Sequence, residues 1–208
     1  IWLAFSPIKQ NPLNFVIQKG TELGVQKFFP ILSERSVVKE INIERIKKII
    51  VESSEQSNRI SVPEIRKIET LKFFLSEFPK DGCLIFCDIN CNKNNLKSIL
   101  SKKIEGPVCI LIGPEGDFSE SERKLILDLQ QANSIILAKN ILRAETAALA
   151  AITIVNYYLN LSWILKLHQV ATGNELIFLN NSALSGTITR VKYCYKNEKV
   201  VKIGLKIL

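Results

Sequence analysis

The chain has 208 residues, 47% of them hydrophobic, and a formal net charge of +8. That length and apolar content suit one large packed domain and a small one. No run of 18 or more apolar residues occurs, so neither a transmembrane helix nor a membrane partner is expected, and Trp2 and Phe5 run into Ser-Pro-Ile-Lys rather than a signal-peptide cleavage pattern, which predicts a cytoplasmic protein.

In chain order, residues 1–5 read as a strand. Asn11-Pro12 starts a helix that Gly24 ends. Residues 26–32 read as a strand. Residues 42–57 place Ile43, Ile46, Ile49 and Ile50 at helical spacing among charged residues. Residues 62–65 form an edge-like or loop segment, and residues 70–78 a short helix stopped by Pro79. Residues 83–87 and 108–112 are short apolar runs flanked by Gly or Pro, as expected of strands covered on both faces. Residues 119–130 form a helix whose Ser119 and Glu122 stand in capping-box spacing. Residues 134–138 read as a strand, and residues 145–159 as a helix apolar on almost every side, suited equally to a core or a shared interface.

This alternation predicts a parallel α/β sheet over residues 1–159. Residues 160–208 change to period two. Residues 175–178, 186–191 and 199–203 read as short β-strands separated by Asn, Ser and Lys turns, the pattern of a small barrel.

Charge follows the same division. Residues 160–208 hold seven Lys or Arg against two Glu, a net of +5, whereas residues 1–159 hold twenty-one against eighteen acids, a net of +3. A basic small domain predicts an anionic partner such as nucleic acid, with a solvated lysine-rich surface as the bland alternative. The five cysteines are Cys83, Cys87, Cys91, Cys109 and Cys194. Their spacing lacks the usual zinc-knuckle pairs, so buried structural thiols are expected and no metal.

Two loops carry the most chemical information. Ile110-Leu111-Ile112-Gly113-Pro114-Glu115-Gly116-Asp117-Phe118-Ser119 and, later, Leu142-Arg143-Ala144-Glu145-Thr146-Ala147-Ala148 each join an apolar strand to a helix. In a parallel sheet both would open at the carboxyl edge, where α/β proteins bind ligands. No G-x-G-x-x-G follows the first strand, and no Lys-Ser or Lys-Thr follows Gly116. An ordinary dinucleotide pocket and a P-loop hydrolase are therefore not indicated.

These paired loops resemble those of the RsmE-type 16S ribosomal RNA uracil-N3 methyltransferases, a family of the knotted SPOUT superfamily. The resemblance extends to Gln18-Lys19-Gly20-Thr21-Glu22-Leu23-Gly24-Val25, to Ser33-Glu34-Arg35-Ser36 and to Glu55-Gln56-Ser57-Asn58-Arg59. Asn58 and Asp117 stand where the family usually has Gly, and Ala138 stands near a third such position. Asn and Asp are the residues other than Gly that best tolerate positive φ.

The resemblance implies a SPOUT-type parallel sheet with a trefoil knot on its C-terminal side over residues 1–159, and a PUA-like β-barrel that binds RNA over residues 160–208. Leu165-Lys166-Leu167 and Gly173-Asn174-Glu175-Leu176 are similar to early motifs of that barrel. In the family the barrel comes first. The reversed order here points to a circular permutation, an altered chain order or a coincidental β-domain.

The implied activity is S-adenosyl-L-methionine-dependent methylation of a uridine N3 in small-subunit ribosomal RNA, free or in the 30S particle, by a homodimer. The implied cofactor-binding residues are Leu111, Gly113, Gly116, Ile136, Leu137, Ala138, Ile141 and Leu142, beside the strand end Phe86-Cys87-Asp88. Arg143, Glu145 and Glu115 are the candidate catalytic residues. Arg143 can grip a phosphate or stabilise charge on the uracil, and either glutamate can serve as base; the bland alternatives are an Arg143–Glu145 surface pair and a dipole-favoured Glu145. Arg35 and Arg59 are candidate RNA contacts, near Glu22 and Gln56, or members of a polar network that stabilises the fold. Lys192, Lys196, Lys199 and Lys202 are the candidate RNA contacts of the basic domain. His168, the one histidine, is expected to be non-catalytic. Ribose 2′-O-methylation and non-catalytic RNA binding are the rival readings.

Overall fold

The apolar runs of the first three-quarters of the chain are strands of one parallel sheet. The computed structural model describes the backbone of residues 1–91, 96–101, 104–170, 176–178, 189–196 and 199–207. Its elements are β1 (Trp2–Phe5), α1 (Gln10–Glu22), β2 (Lys27–Leu32), α2 (Ile43–Gln56), β3 (Glu64–Ile65), β4 (Glu69–Thr70), α3 (Leu71–Ser76), β5 (Cys83–Cys87), α4 (Leu96–Leu100), β6 (Val108–Ile112), α5 (Glu120–Leu127), β7 (Ala132–Ile135), α6 (Ala144–Val170), β8 (Leu176–Phe178), β9 (Thr189–Lys196) and β10 (Lys199–Ile207). The chain divides into two compact units, Ile1–Tyr157 and Tyr158–Leu208.

In the first unit the strand order is β3-β2-β1-β6-β5-β7, with β4 also paired to β2. Every pairing is parallel. Side chains alternate between the sheet faces. Ala4, Ile31, Leu84, Phe86, Cys109 and Leu111 form one buried cluster with Leu71, Phe74 and Leu75 of α3, Phe118 and Ile126. The intervening Leu3, Phe28, Ile85 and Ile110 are fully buried too, as are Ile17 of α1, Ile50 of α2 and Val155 of α6. The central strands are thus covered on both faces, which is why they read as unbroken apolar runs.

Local chemistry sets the helix boundaries. Asn42 caps α2 by accepting from the Arg45 N–H at 2.9 Å. Thr70 does the same for α3 through the Phe73 N–H. The capping box at α5 is present in full, Ser119 and Glu122 each accepting from the other's backbone. At the end of α1, Gly24 takes φ +93°, a turn open to glycine at little cost. Asn58 and Asp117 hold φ 52° and 59°, as expected of residues standing in glycine positions. The short α4 and the two-residue β4 carry too little pattern to be anticipated.

Two sequence expectations shift. The strand expected at 134–138 is β7, which pairs with β5 through Ala132–Ile135. The chain then leaves the sheet, so residues 136–142 form a loop. The helix expected to end at Leu159 runs to Val170, because no Gly or Pro interrupts residues 144–170 and the first glycine beyond is Gly173. Leu165, Lys166 and Leu167, similar to an early motif of the barrel domain, therefore lie in α6.

In the second unit β8, β9 and β10 form a three-stranded antiparallel sheet, with a register shift between Lys202 and Gly204. The motif residues 173–175 and the expected strand residues 186–188 lie outside the described residues.

Candidate functional site

A parallel sheet gathers the loops that follow its strands at one edge. Here those loops follow β1, β2, β5, β6 and β7, and two of them enclose a cleft. Cys87, Asp88 and Ile89 at the end of β5 form one wall. Residues 136–142 after β7, with Ala147 on α6, form the other. The cleft is small, with about 90 Å³ of cavity volume, and it is open at its mouth.

Residues 136–142 take no part in the backbone-to-backbone hydrogen bonds recorded outside helices and strands among the described residues. Their N–H and C=O groups are available to a ligand, which is the provision an adenine or a carboxylate needs.

Ile136, Leu137, Ala138, Ile141 and Leu142, five of the eight expected cofactor residues, line this cleft. The other three lie on or beside β6. Leu111 is fully buried in the sheet core. Gly113 begins the 113–119 loop, where an added Cβ would meet the Phe118 ring at 3.1 Å. That ring packs edge-on against Phe86, 5.7 Å between centroids, so a side chain at Gly113 would collide with the packing beneath the loop. Gly116 is exposed, and its carbonyl accepts a hydrogen bond from Arg35 Nη1 at 2.9 Å.

A polar network ties these loops together. Asp88 is buried, and its Oδ2 accepts from Arg123 Nη2 at 2.7 Å and Nε at 3.1 Å. The Asp88 carboxylate, and secondarily Asp117, raise the Arg123 guanidinium above its ordinary value. Asp88 Oδ1 accepts from the Asn90 N–H at 2.9 Å. Asn90 Nδ2 in turn donates to Asp117 Oδ2 at 3.2 Å, and Asp117 Oδ1 accepts from the Phe118 N–H at 2.8 Å. On the far side, Glu122 Oε1 accepts from the Glu34 N–H at 2.8 Å. Sequence reasoning placed Asp88 at a strand end but missed Arg123, because a lone Arg on an amphipathic helix gives no signal.

Burial pushes the Cys87 thiol, in the cleft wall, well above its ordinary range. Cys83, Cys91 and Cys109 are buried.

Arg143 is exposed just ahead of α6, and its carbonyl accepts from the Ala147 N–H at 2.8 Å. Glu145 is half-buried in the first turn of α6, and Glu115 is exposed on the 113–119 loop. No ion pair joins Arg143 to Glu145 among the described residues. The alternative of an Arg143–Glu145 surface pair is therefore not seen, and Arg143 is exposed.

Arg59 makes contacts of the kind a fold-stabilising network needs. Its Nη1 donates to the carbonyls of Thr21 at 2.5 Å and Val25 at 2.8 Å, tying the end of α2 to the end of α1. Glu22 pairs with Lys19 at 2.8 Å. Lys192 and Lys196 lie on β9, and Lys199 and Lys202 on β10, where Lys196 stands opposite Lys199. Their side chains lie outside the described residues.

Comparison with known proteins agrees with this geometry. A family model described as an RNA methyltransferase domain matches residues 1–156. The ribosomal RNA small subunit methyltransferase E of Rickettsia conorii is 34% identical over 151 residues, covering 72% of this chain and 61% of that protein. The crystal structure of the methyltransferase of the same name from Neisseria gonorrhoeae, bound to S-adenosyl methionine, superposes with a TM-score of 0.67 at 30% identity. It covers 74% of this chain and 64% of the other. A methyltransferase of Legionella pneumophila solved with bound SAM gives a TM-score of 0.65 at 29% identity, over 76% of this chain and 66% of its own. The chain thus spans 61% and 64% of the lengths of the first two relatives. With the match extending over residues 1–156, the chain belongs to the RNA methyltransferase domain family.

Proposed function

We propose that this chain transfers the methyl group of S-adenosyl-L-methionine to N3 of a uridine in small-subunit ribosomal RNA. The observation that carries this reading is the cleft between the ends of β5 and β7, bounded by a loop that makes no backbone-to-backbone hydrogen bond outside helices and strands among the described residues. Two similar solved structures hold S-adenosylmethionine, and the Rickettsia conorii relative is named as a ribosomal RNA small subunit methyltransferase.

The residues present fit that cofactor. The apolar side chains of Ile136, Leu137, Ile141 and Leu142 suit the adenine ring, and the backbone of 136–142 suits its polar edge. When bound, the cofactor supplies an electrophilic methyl group. The chain must hold the uracil beside it, remove the N3 proton and stabilise the negative charge left on the ring. Arg143, exposed just ahead of α6 and next to Leu142 of the cleft wall, would stabilise that charge or grip a flanking phosphate. Glu145, two residues before the cleft-lining Ala147, and Glu115, on the loop after β6, are the candidate acceptors of the proton.

The sheet order supports a knotted reading. The connection from β6 to β7 passes beyond β5, since β7 pairs with β5 and not with β6. In this proposal residues 136–143 thread the trefoil knot of a SPOUT domain over residues 1–159. The antiparallel β8–β10 sheet and its lysines support a PUA-like RNA-binding domain within residues 160–208. A homodimer working in the cytoplasm on RNA or the 30S particle completes the proposal.

Two measurements test it. Calorimetry should show binding of S-adenosylmethionine to the wild-type chain. Incubation with small-subunit RNA or particles, followed by nucleoside analysis, should yield 3-methyluridine. A 2′-O-methylated nucleoside, or RNA binding without cofactor binding, would replace this function with one of its rivals. Neutralising Lys192, Lys196, Lys199 and Lys202 should weaken RNA binding and flatten its salt dependence while cofactor affinity persists. An unchanged salt slope would assign those charges to solubility.

A further inference from the structure

Asp88 is the one buried acid among the cleft-lining residues, and its charge is balanced from α5 rather than from the cleft. Arg123 reaches it with two N–H groups. The same guanidinium feels the field of Asp117, on the loop after β6. Asn90 closes the circuit by joining the loop after β5 to Asp117. Four side chains therefore connect the cleft wall 87–89 to the 113–119 loop, although neither loop hydrogen-bonds the other through its backbone among the described residues.

The backbone of Asp117 carries the second part of the argument. A non-glycine residue at φ 59° is held there at a cost, and it persists where surrounding contacts over-determine it. Both carboxylate oxygens of Asp117 are engaged, one by the Phe118 N–H and one by Asn90. A glycine would satisfy the backbone without either contact.

We propose that Arg123, with Asn90 and Asp117, forms a clamp that positions the cleft wall Asp88–Ile89 for the cofactor. Arg123 is a positioning residue acting through Asp88, not a group that touches the reacting atoms. This inference rests on the cofactor reading given above for the same cleft. Its specific content is that the loops after β5 and β6 move as one unit because of this clamp.

The test uses the intact chain and three single variants. Asn90→Ala removes an exposed bridge with no burden on the core. Asp117→Gly removes the carboxylate but relieves the backbone. Arg123→Lys keeps the charge and loses the fork. Hydrogen exchange of amides 88–91 and 113–119 reads the coupling in the ligand-free protein. Steady-state kinetics reads the split between KM for S-adenosylmethionine and kcat.

Asn90→Ala and Asp117→Gly should each speed exchange in both loops and raise KM about fivefold to tenfold with kcat nearly kept, the scale of one or two hydrogen bonds, one of them charged. The double variant should be no worse than either single one, because both remove the same bridge. Arg123→Lys should retain part of the affinity. Three results overturn the clamp: loosening confined to the mutated loop, an additive double variant, or a fall in kcat with KM unchanged. A wild-type chain that binds no S-adenosylmethionine overturns the positioning role and the cofactor reading together, and the exchange data then decide alone whether the loops are coupled.

Discussion

Arg35 donates from Nη1 to the carbonyl of Gly116 at 2.9 Å, so a residue after β2 grips the loop after β6. One Nη group makes this contact, and the rest of the planar fork stays available to an anion. Arg35 can therefore hold its loop and contact RNA together. We expect Arg35→Gln to reduce RNA affinity and lower the salt slope by about one phosphate contact. Melting should shift by only a degree or two, since an exposed hydrogen bond contributes about 1 kcal/mol or less. RNA titrations at several salt concentrations check this. A lower melting point with unchanged RNA binding would make Arg35 a structural residue alone.

Gly113 gives the second prediction. The family resemblance counts Gly113 among the cofactor-binding residues, a role in which a bare backbone allows close approach. The structure supplies a different reason for glycine, a Cβ contact of 3.1 Å to the Phe118 ring wedged against Phe86. Gly113→Val should cost roughly 1–3 kcal/mol in stability through overpacking, and Gly113→Ala less. Pairing Gly113→Ala with Phe118→Leu should recover part of the loss. Chemical denaturation measures both. A Gly113→Val chain as stable as wild type, with cofactor binding abolished, would restore the original reason.

The parts of the fold that proved legible were those whose local and tertiary demands agree. The runs 83–87 and 108–112 became β5 and β6 without a change of boundary, because strands covered on both faces need continuous apolar residues. Ser119 and Glu122 announced the start of α5 by capping chemistry. The β7 boundary was displaced because Ile136, Leu137 and Ala138 are as apolar as a strand but line a cleft. Their composition answers to the lining of a cleft and not to a sheet. Arg123 and Asn90 were invisible for a related reason: a contact between residues 35 positions apart, such as Arg123–Asp88, leaves no local pattern.

Arg59 separates fold from function. Its guanidinium serves the carbonyl of Val25, just beyond α1, and shares the carbonyl of Thr21 with the Gly24 N–H. Arg59→Met should destabilise the chain by about 1–3 kcal/mol, the cost of losing two charge-assisted hydrogen bonds to part-buried carbonyls. RNA affinity of the protein that remains folded should be unchanged. Urea denaturation and RNA binding at low temperature measure the two quantities separately. Full stability with weakened RNA binding would return Arg59 to the RNA contacts.

Arg143 carries the sharpest functional prediction. It stands immediately before α6, next to Leu142 of the cleft wall, and it is exposed with no ion pair to Glu145. A cation so placed contributes little to folding, since no buried partner depends on it. Arg143→Ala should therefore melt with the wild type and bind S-adenosylmethionine nearly as well. Methyl transfer at saturating cofactor should fall by roughly a hundredfold or more, the scale of losing one preorganised electrostatic contact to a developing anion. Arg143→Lys should recover only part of the rate, because the ammonium lacks the planar fork that can hold two oxygens at once. The assay is transfer of labelled methyl to small-subunit RNA or particles, read against calorimetric cofactor affinity for the same variants. Loss of cofactor affinity equal to the loss of rate would move Arg143 from the transition state to the cofactor site. Wild-type turnover in Arg143→Ala would remove it from the mechanism and leave Glu115 and Glu145 as the residues to vary next.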